Sequence, residues 1–229
     1  MATGEASLLA CNPWVARRLL TVAEYHRMGE VGVLTERDRV DPIEGDLIAK
    51  PPVGPQHSGT VNWLSRRLVR AEGDRGVVAV QVPVQLDDLT QPEPDFAVLK
   101  PRSNDYRLAT PRTDEVVLIV EVADSSLAYD CTVKRSLYAW HGMPEFSIVN
   151  LSAGEVEICR APSGDDYAAV SRVGHGGSRS PSCCPAQRSR LRRCWARLAP
   201  HCGALVGVLK NPESADLRRT KAPWVCHVR

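Results

Sequence analysis

From Val116 to Val122 the chain reads VVLIVEV, an apolar run broken only by the carboxylate of Glu121. Such a run, bounded by polar turns, is the pattern of a central strand buried on both faces. A strand of that kind needs a neighbour on each side and a covering layer over each face, so it calls for a sheet flanked by helices or a second sheet. The run also singles out Glu121. An ionised, unpartnered carboxylate within it would cost several kcal/mol. Glu121 must therefore leave the core at the strand's end, bind a cation or pair with a base.

The neighbouring segments supply the rest of a layered domain. Thr21 with Glu24 forms a capping-box pattern that opens a short helix through about Met28. Val40 to Lys50 reads as a hairpin turning at Glu44-Gly45, with Pro42 in its first arm marking an edge strand or a bulge. After Pro51–Pro55, Val61, Leu64, Leu68 and Val69 recur at helical spacing, with Arg66, Arg67 and Arg70 on the outer face. Val77–Val84 and Phe96–Leu99 have strand character. A helix is predicted from Leu127 to His141, stopped by Gly142 and Pro144. Phe146–Asn150, Glu155–Arg160 and Tyr167–Val173 add further strands. The fold class is α/β (α+β), a mixed sheet with at least two helices.

Charge divides the chain in two. Residues 1–170 carry 17 Lys+Arg against 25 Asp+Glu, whereas residues 171–229 carry 12 against 2. Cysteine follows: Cys11, Cys131 and Cys159 are scattered, while Cys183, Cys184, Cys194, Cys202 and Cys226 crowd the last 59 residues. We therefore expect an N-terminal extension over 1–20, one domain over 21–173, and a disordered basic tail over 174–229. Rising Arg, Pro, Ser and Cys with vanishing acidic residues is the mixture that a GC-rich gene yields out of frame, so a frameshift near codon 174 is the expected origin of the tail. The alternative is a basic nucleic-acid arm. The cysteine spacing does not suit structural zinc. No secretory signal or apolar run of membrane-spanning length is visible, and scattered thiols suit a reduced compartment, so a cytoplasmic protein without a membrane partner is expected.

Two residues join Glu121 as candidates for chemistry. Asp95 opens the strand Phe96–Leu99 in the sequence PEPDF. Carboxylates at the ends of neighbouring strands suit a hard cation such as Mg²⁺, with water filling the remaining positions; the bland role for Asp95 is a turn cap after proline. Lys134 lies about two turns into the predicted helix, which at 1.5 Å per residue could fold back to the level of Glu121. Its bland role is a surface i,i+4 pair with Asp130.

These residues carry a resemblance. PEPDFAVL followed by IVEVADSSLAYDCTVKRSLYAWHGMPEFSIVN, with IEGDLI and the PxGPxH around His57, resembles the Uma-type restriction endonuclease family, within the PD-(D/E)XK nuclease superfamily and its restriction-endonuclease-like fold. The resemblance covers about residues 21–173. It implies a Mg²⁺-dependent endonuclease (Mn²⁺ as the other candidate metal) that hydrolyses phosphodiester bonds of DNA. Asp95 and Glu121 match the metal-binding carboxylates. The superfamily's lysine two residues after the glutamate would be Ala123 here, and Lys134 matches the family's replacement from the following helix. Glu44 falls in the family's acidic-Gly turn, where a turn role and a catalytic one are equally open. His57 matches the histidine at the start of the long helix, in a supporting role. Ser126 and Asp130 match residues that hold the helix start and orient Lys134. Departures are Cys131 in place of a basic residue, Ser147 in place of an aromatic and Pro42 in place of an aliphatic one; the last two are expected to weaken the core. Two readings follow: an active endonuclease, possible as a homodimer because two strands are cut, or a non-catalytic relative acting as a binding or dimerisation module.

Overall fold

A computed structural model of the protein describes residues 16–35 and 37–174. The frameshift, basic-arm and zinc expectations for the tail, and most of the N-terminal extension, lie outside the described residues. The described residues fall into two compact units: those up to Lys50 with Gln85–Pro92, and Pro51–Val84 with those from Glu93 onward.

In the first unit, helix α1 (Val22–Glu30) opens on the expected capping box. The Glu24 N–H donates to Thr21 Oγ1 at 3.1 Å, and the Thr21 N–H donates to the Glu24 carboxylate at 3.0 Å. Strands β1 (Val40–Ile43) and β2 (Asp46–Ala49) pair antiparallel. Their turn residues Glu44 and Gly45 have φ of 50° and 80°, the two left-handed positions of a tight hairpin turn that matches strand twist. A Cβ on Gly45 would lie 2.5 Å from Leu19 Cβ, so glycine is required there twice over. Pro42 pairs with Leu47 without a bulge, and its carbonyl accepts the Gln91 N–H at 2.8 Å.

The second unit is a six-stranded sheet: β3 (Val77–Val80), β4 (Phe96–Leu99), β5 (Val116–Ala123), β6 (Glu145–Asn150), β7 (Glu155–Ser163) and β8 (Asp166–Gly174). Spatial order equals chain order. Only β5 and β6 run parallel; every other neighbour is antiparallel. The mixed sheet follows from connection length, because parallel neighbours require a crossover and the segment between β5 and β6 provides one. Val116–Ala123 is buried throughout except at Val117, as a central strand must be. β3 stops four residues short of the expected Val84, because Gln81 turns into the left-handed region (φ 51°) and Pro83 has no N–H for a ladder.

Helix α2 (Pro55–Glu72) buries Thr60, Val61, Leu64 and Leu68. These apolar side chains join Phe96, Val98, Leu118, Val120 and Val122 in the main core. Val69, expected on that face, is 51% exposed; it is 100° round the helix from Leu68 and falls on the flank. The crossover is not the single regular helix expected over 127–141. It comprises α3 (Leu127–Tyr129), a π turn (Asp130–Lys134) and α4 (Arg135–Trp140). Gly142 (φ 69°) ends it, with Pro144 beyond.

Ser147 is fully buried between Val120 and Ile158 on the neighbouring strands. Its hydroxyl has no hydrogen-bond partner among the described residues. Leaving a buried hydroxyl unpaired costs ~1–3 kcal/mol, while alanine keeps the rest of the side chain. Ser147→Ala is therefore expected to raise the melting temperature, by roughly 2–4 °C for each kcal/mol recovered. A lowered value would show that the hydroxyl is satisfied after all.

Candidate functional site

The last β4–β5 pair is Phe96 with Val120. Asp95 and Glu121 occupy the next position on each strand, so the ladder sets the two carboxylates beside one another. Asp95 is 9% exposed. Its Oδ2 accepts the Val122 N–H at 2.8 Å and lies 3.1 Å from His57 Nε2, in the first turn of α2. Gln81 Nε2 reaches Asp95 Oδ1 at 3.5 Å, and the Gln81 N–H donates to the Asp95 carbonyl at 3.0 Å. These contacts leave Asp95 little freedom to rotate.

Glu121 is 3% exposed. Its Oε1 lies 2.9 Å from Lys134 Nζ and accepts the Tyr138 hydroxyl at 3.0 Å. Of the outcomes open to a carboxylate in this strand, pairing with a base is the one realised. Burial pushes Glu121 up to about 7; the Lys134 charge draws it back, and the neighbouring charges of Asp95 and Asp130 add to the rise. Burial alone would lower Lys134, but Glu121 and Asp130 outweigh it and hold the ammonium above its usual value.

Asp130 anchors the lysine from the other side. It is 1% exposed, and Ser126 Oγ donates to its Oδ2 at 2.5 Å. Its Oδ1 stands 3.4 Å from Lys134 Nζ, an electrostatic contact rather than an aligned hydrogen bond. The bland i,i+4 pair thus coexists with the contact to Glu121, but it is buried rather than on the surface. Lys134 also lies 5.9 Å from the centre of the Tyr129 ring.

Asp95, Glu121, Lys134, His57, Ser126 and Asp130 therefore lie in one continuous set of contacts and neighbouring positions. His57 is held above the ordinary imidazole value by its hydrogen bond to Asp95, against the opposing effect of burial. Glu44 is exposed at the β1–β2 turn of the first unit, where its N–H donates to Thr90 Oγ1 at 3.2 Å. Ala123 is fully buried at the end of β5. Cys131, half-buried in the π turn, has its thiol raised mainly by burial.

Two site residues escape the sequence reading. Tyr138 lies four residues after Lys134, one helical turn on the same face, and that spacing was the available signal. Gln81 left none, because it sits where the strand pattern of Val77–Val84 reads straight through the turn.

Among the described residues no group of three or more His, Cys, Asp or Glu forms a metal cage. The donor set at Asp95 and Glu121 still fits a hard cation that keeps much of its hydration, since Mg²⁺ is commonly held by one or two carboxylates with water completing the shell.

The unit is thus a mixed sheet with two carboxylates at adjoining strands and a lysine that reaches one of them from the crossover. The chain belongs to the Uma2 family, described as "Putative restriction endonuclease", whose model matches residues 22–191. The match runs past Gly174, beyond the end of the resemblance read from the sequence. The fold is similar to the crystal structure of "a putative nuclease belonging to DUF820" from Anabaena variabilis, with a TM-score of 0.58, 14% identity, and coverage of 82% of this chain and 99% of that one. The type IIG restriction endonuclease BpuSI aligns over 69% of this chain and 17% of its own, with a TM-score of 0.33 and 14% identity. No curated protein matches the chain. Among the described residues no helix is long and apolar enough to cross a membrane.

The raised carboxyl gives a testable pH dependence. Glu121 goes from 4.5 to about 7 on folding, so its contribution to stability is complete below the unfolded value and is lost as pH rises through the folded one. At 1.36 kcal/mol per unit the loss is on the order of 3 kcal/mol. In metal-free buffer, Glu121→Gln is expected to flatten the decline in melting temperature between pH 5 and 8. Parallel slopes for the two proteins would assign the decline to other groups.

Proposed function

We propose that this protein is a Mg²⁺-dependent endonuclease of the PD-(D/E)XK type that hydrolyses phosphodiester bonds of DNA, with Mn²⁺ as an alternative metal. The observation that carries the reading is the buried Glu121–Lys134 pair, 2.9 Å apart, on the strand position next to Asp95. A core carboxylate raised by burial and matched to a lysine is an expensive arrangement, and perturbed groups of this kind cluster at functional sites.

In this reading Asp95 and Glu121 hold the cation. When bound, Mg²⁺ supplies Lewis-acid polarisation of a phosphoryl oxygen and a water of lowered pKa. Lys134, kept protonated by Glu121 and steadied by Asp130 and Ser126, supplies positive charge where negative charge develops on the phosphate. His57 and the Val122 N–H fix Asp95, and Tyr138 fixes Glu121. The cytoplasm is the proposed compartment and a homodimer the proposed assembly, the latter because cutting both strands needs two sites.

Asp95→Ala and Glu121→Ala are each expected to abolish plasmid cleavage in Mg²⁺ or Mn²⁺ while circular dichroism stays that of a folded protein. Either substitution removes half of the charged ligands and leaves the cation held from one side only. Wild-type cleavage by both variants would refute the assignment. Millimolar Mg²⁺ or Mn²⁺ is expected to raise the melting temperature of the parent but of neither variant, because only a folded-state site couples binding to stability. A folded parent with no metal-induced rise and no cleavage would favour the non-catalytic module instead.

Lys134→Ala is expected to lower single-turnover cleavage at saturating metal more than it lowers metal affinity, because an ammonium is not a metal ligand. Lys134→Gln, which keeps a hydrogen-bond donor to Glu121, separates loss of charge from loss of packing. Unchanged rates in both would return Lys134 to a structural role.

A further inference from the structure

We propose that the solvent face of α2, from Asn62 through Arg66 to Arg70, binds the sugar–phosphate backbone of DNA; the proposal rests on the nuclease reading above and names how that site's substrate is held. The pairing of arginines in the second unit motivates it. Arg75, Arg102, Arg107, Arg135, Arg160 and Arg172 each lie within 4.0 Å of a carboxylate. Among the described residues Arg66, Arg67, Arg70 and, outside the helix, Arg112 have no such partner, and α2 holds no acidic residue before Glu72. A chain with 25 Asp+Glu in its first 170 residues does not lack carboxylates to place there. Three of the four unmatched guanidiniums among the described residues of this unit lie on this one helix, and such a cluster fits an anionic partner from outside it.

The geometry fits a backbone rather than a single phosphate. Asn62, Arg66 and Arg70 are exposed and recur every four residues, so they form one stripe about 6 Å apart in axial rise. Arg67, on the flank, is half-buried with its guanidinium 5.2 Å from the centre of the Trp63 ring. The opposite face of the helix is locked into the core by Val61, Leu64 and Leu68, so the stripe rests on a rigid element. The same helix reaches the candidate site, because His57 in its first turn contacts Asp95. Arg66 and Arg70 lie about 13 and 20 Å along the axis from His57, several base steps from the bond to be cut at 3.4 Å per step on one strand. The helix C-terminus would by itself favour Arg70; Arg66, in the middle of the helix, has no such explanation.

The test is DNA binding by the full-length protein in EDTA, which separates binding from cleavage. Arg66→Ala/Arg70→Ala is compared with the parent and with Arg102→Ala/Arg107→Ala, which removes the same charge from the same unit. Each lost phosphate contact lowers the slope of log affinity against log salt by about one. The α2 pair is therefore expected to lower the slope by about two and weaken binding to unrelated duplexes alike, while the control pair leaves the slope near the parent's. An unchanged slope in the α2 variant overturns the proposal and leaves the nuclease reading to the cleavage assay. So does an equal loss in both pairs, which would report net charge alone. A shift in sedimentation coefficient at unchanged slope overturns it in favour of contact between two copies of the chain. Failure of the parent to bind duplex DNA at 50 mM salt overturns it as well, and the cleavage assay decides the nuclease reading separately.

Discussion

The ion pair between Glu121 and Lys134 is the constraint around which the second unit is arranged. β5 is buried on both faces, so a carboxylate there has no water to turn to, and its oxygen must be met by donors from another element. Lys134 and Tyr138 meet it from one turn of the crossover. This requires the crossover to lie over the sheet at the level of Glu121, and with it the parallel pairing of β5 and β6. Replacing such a pair by apolar residues often costs nothing in stability, whereas removing one partner costs several kcal/mol. Stability alone therefore gives no reason for an acid and a base at this point, and the proposed chemistry would supply one.

The crossover is irregular where it bears on that pair. A regular α-helix from Leu127 would carry Asp130 and Lys134 on one face with simple i,i+4 spacing. The π turn at Asp130–Lys134 widens the helix there, a distortion that tends to accompany functional positions. Its two ends are tied, with Ser126 holding Asp130 and Asp130 standing beside Lys134. The lysine is thus gripped by two buried carboxylates. α2 combines tasks in the same way: one face fills the core, its first turn steadies Asp95, and its outer face carries the unmatched arginines.

Much of this was legible in the amino-acid sequence because burial and periodicity write themselves into it. The run VVLIVEV names both the central strand and its anomalous acid; Thr21 with Glu24 names a helix start; Glu44-Gly45 names a hairpin turn. The misses have physical causes. Nothing in SSLAYDCTVKRSLYAW distinguishes a π turn from an α-helix, because both use nearly the same backbone angles and differ only in which carbonyl each N–H meets. Gln81 is a left-handed residue without being glycine, and its partner Asp95 is fourteen residues away, beyond any local pattern. Val69 looked core-facing because apolar spacing counts residues, whereas burial depends on where the partner surface ends. Tyr138 was readable in principle, but a buried tyrosine hydroxyl becomes meaningful only once its acceptor is known.

Electrostatics sets what the two halves of the site can do together. Asp95 and Glu121 repel, and the Asp95 charge raises the cost of ionising Glu121 in a poorly hydrated place. Without a cation that repulsion is eased by Lys134, which holds Glu121 at the expense of its own freedom. A divalent ion held by Asp95 and Glu121 would offset the same repulsion more strongly, because it would carry two charges. The lysine's charge would then be less engaged by Glu121 and more available to a phosphate. Lys134→Gln should therefore alter metal binding in the direction opposite to simple ligand loss. With the competing ammonium gone, Glu121 is freer for the cation, so the Mg²⁺-induced rise in melting temperature is expected to persist or grow while turnover falls. Loss of both together would mean that the lysine's part is to build the site rather than to act in it.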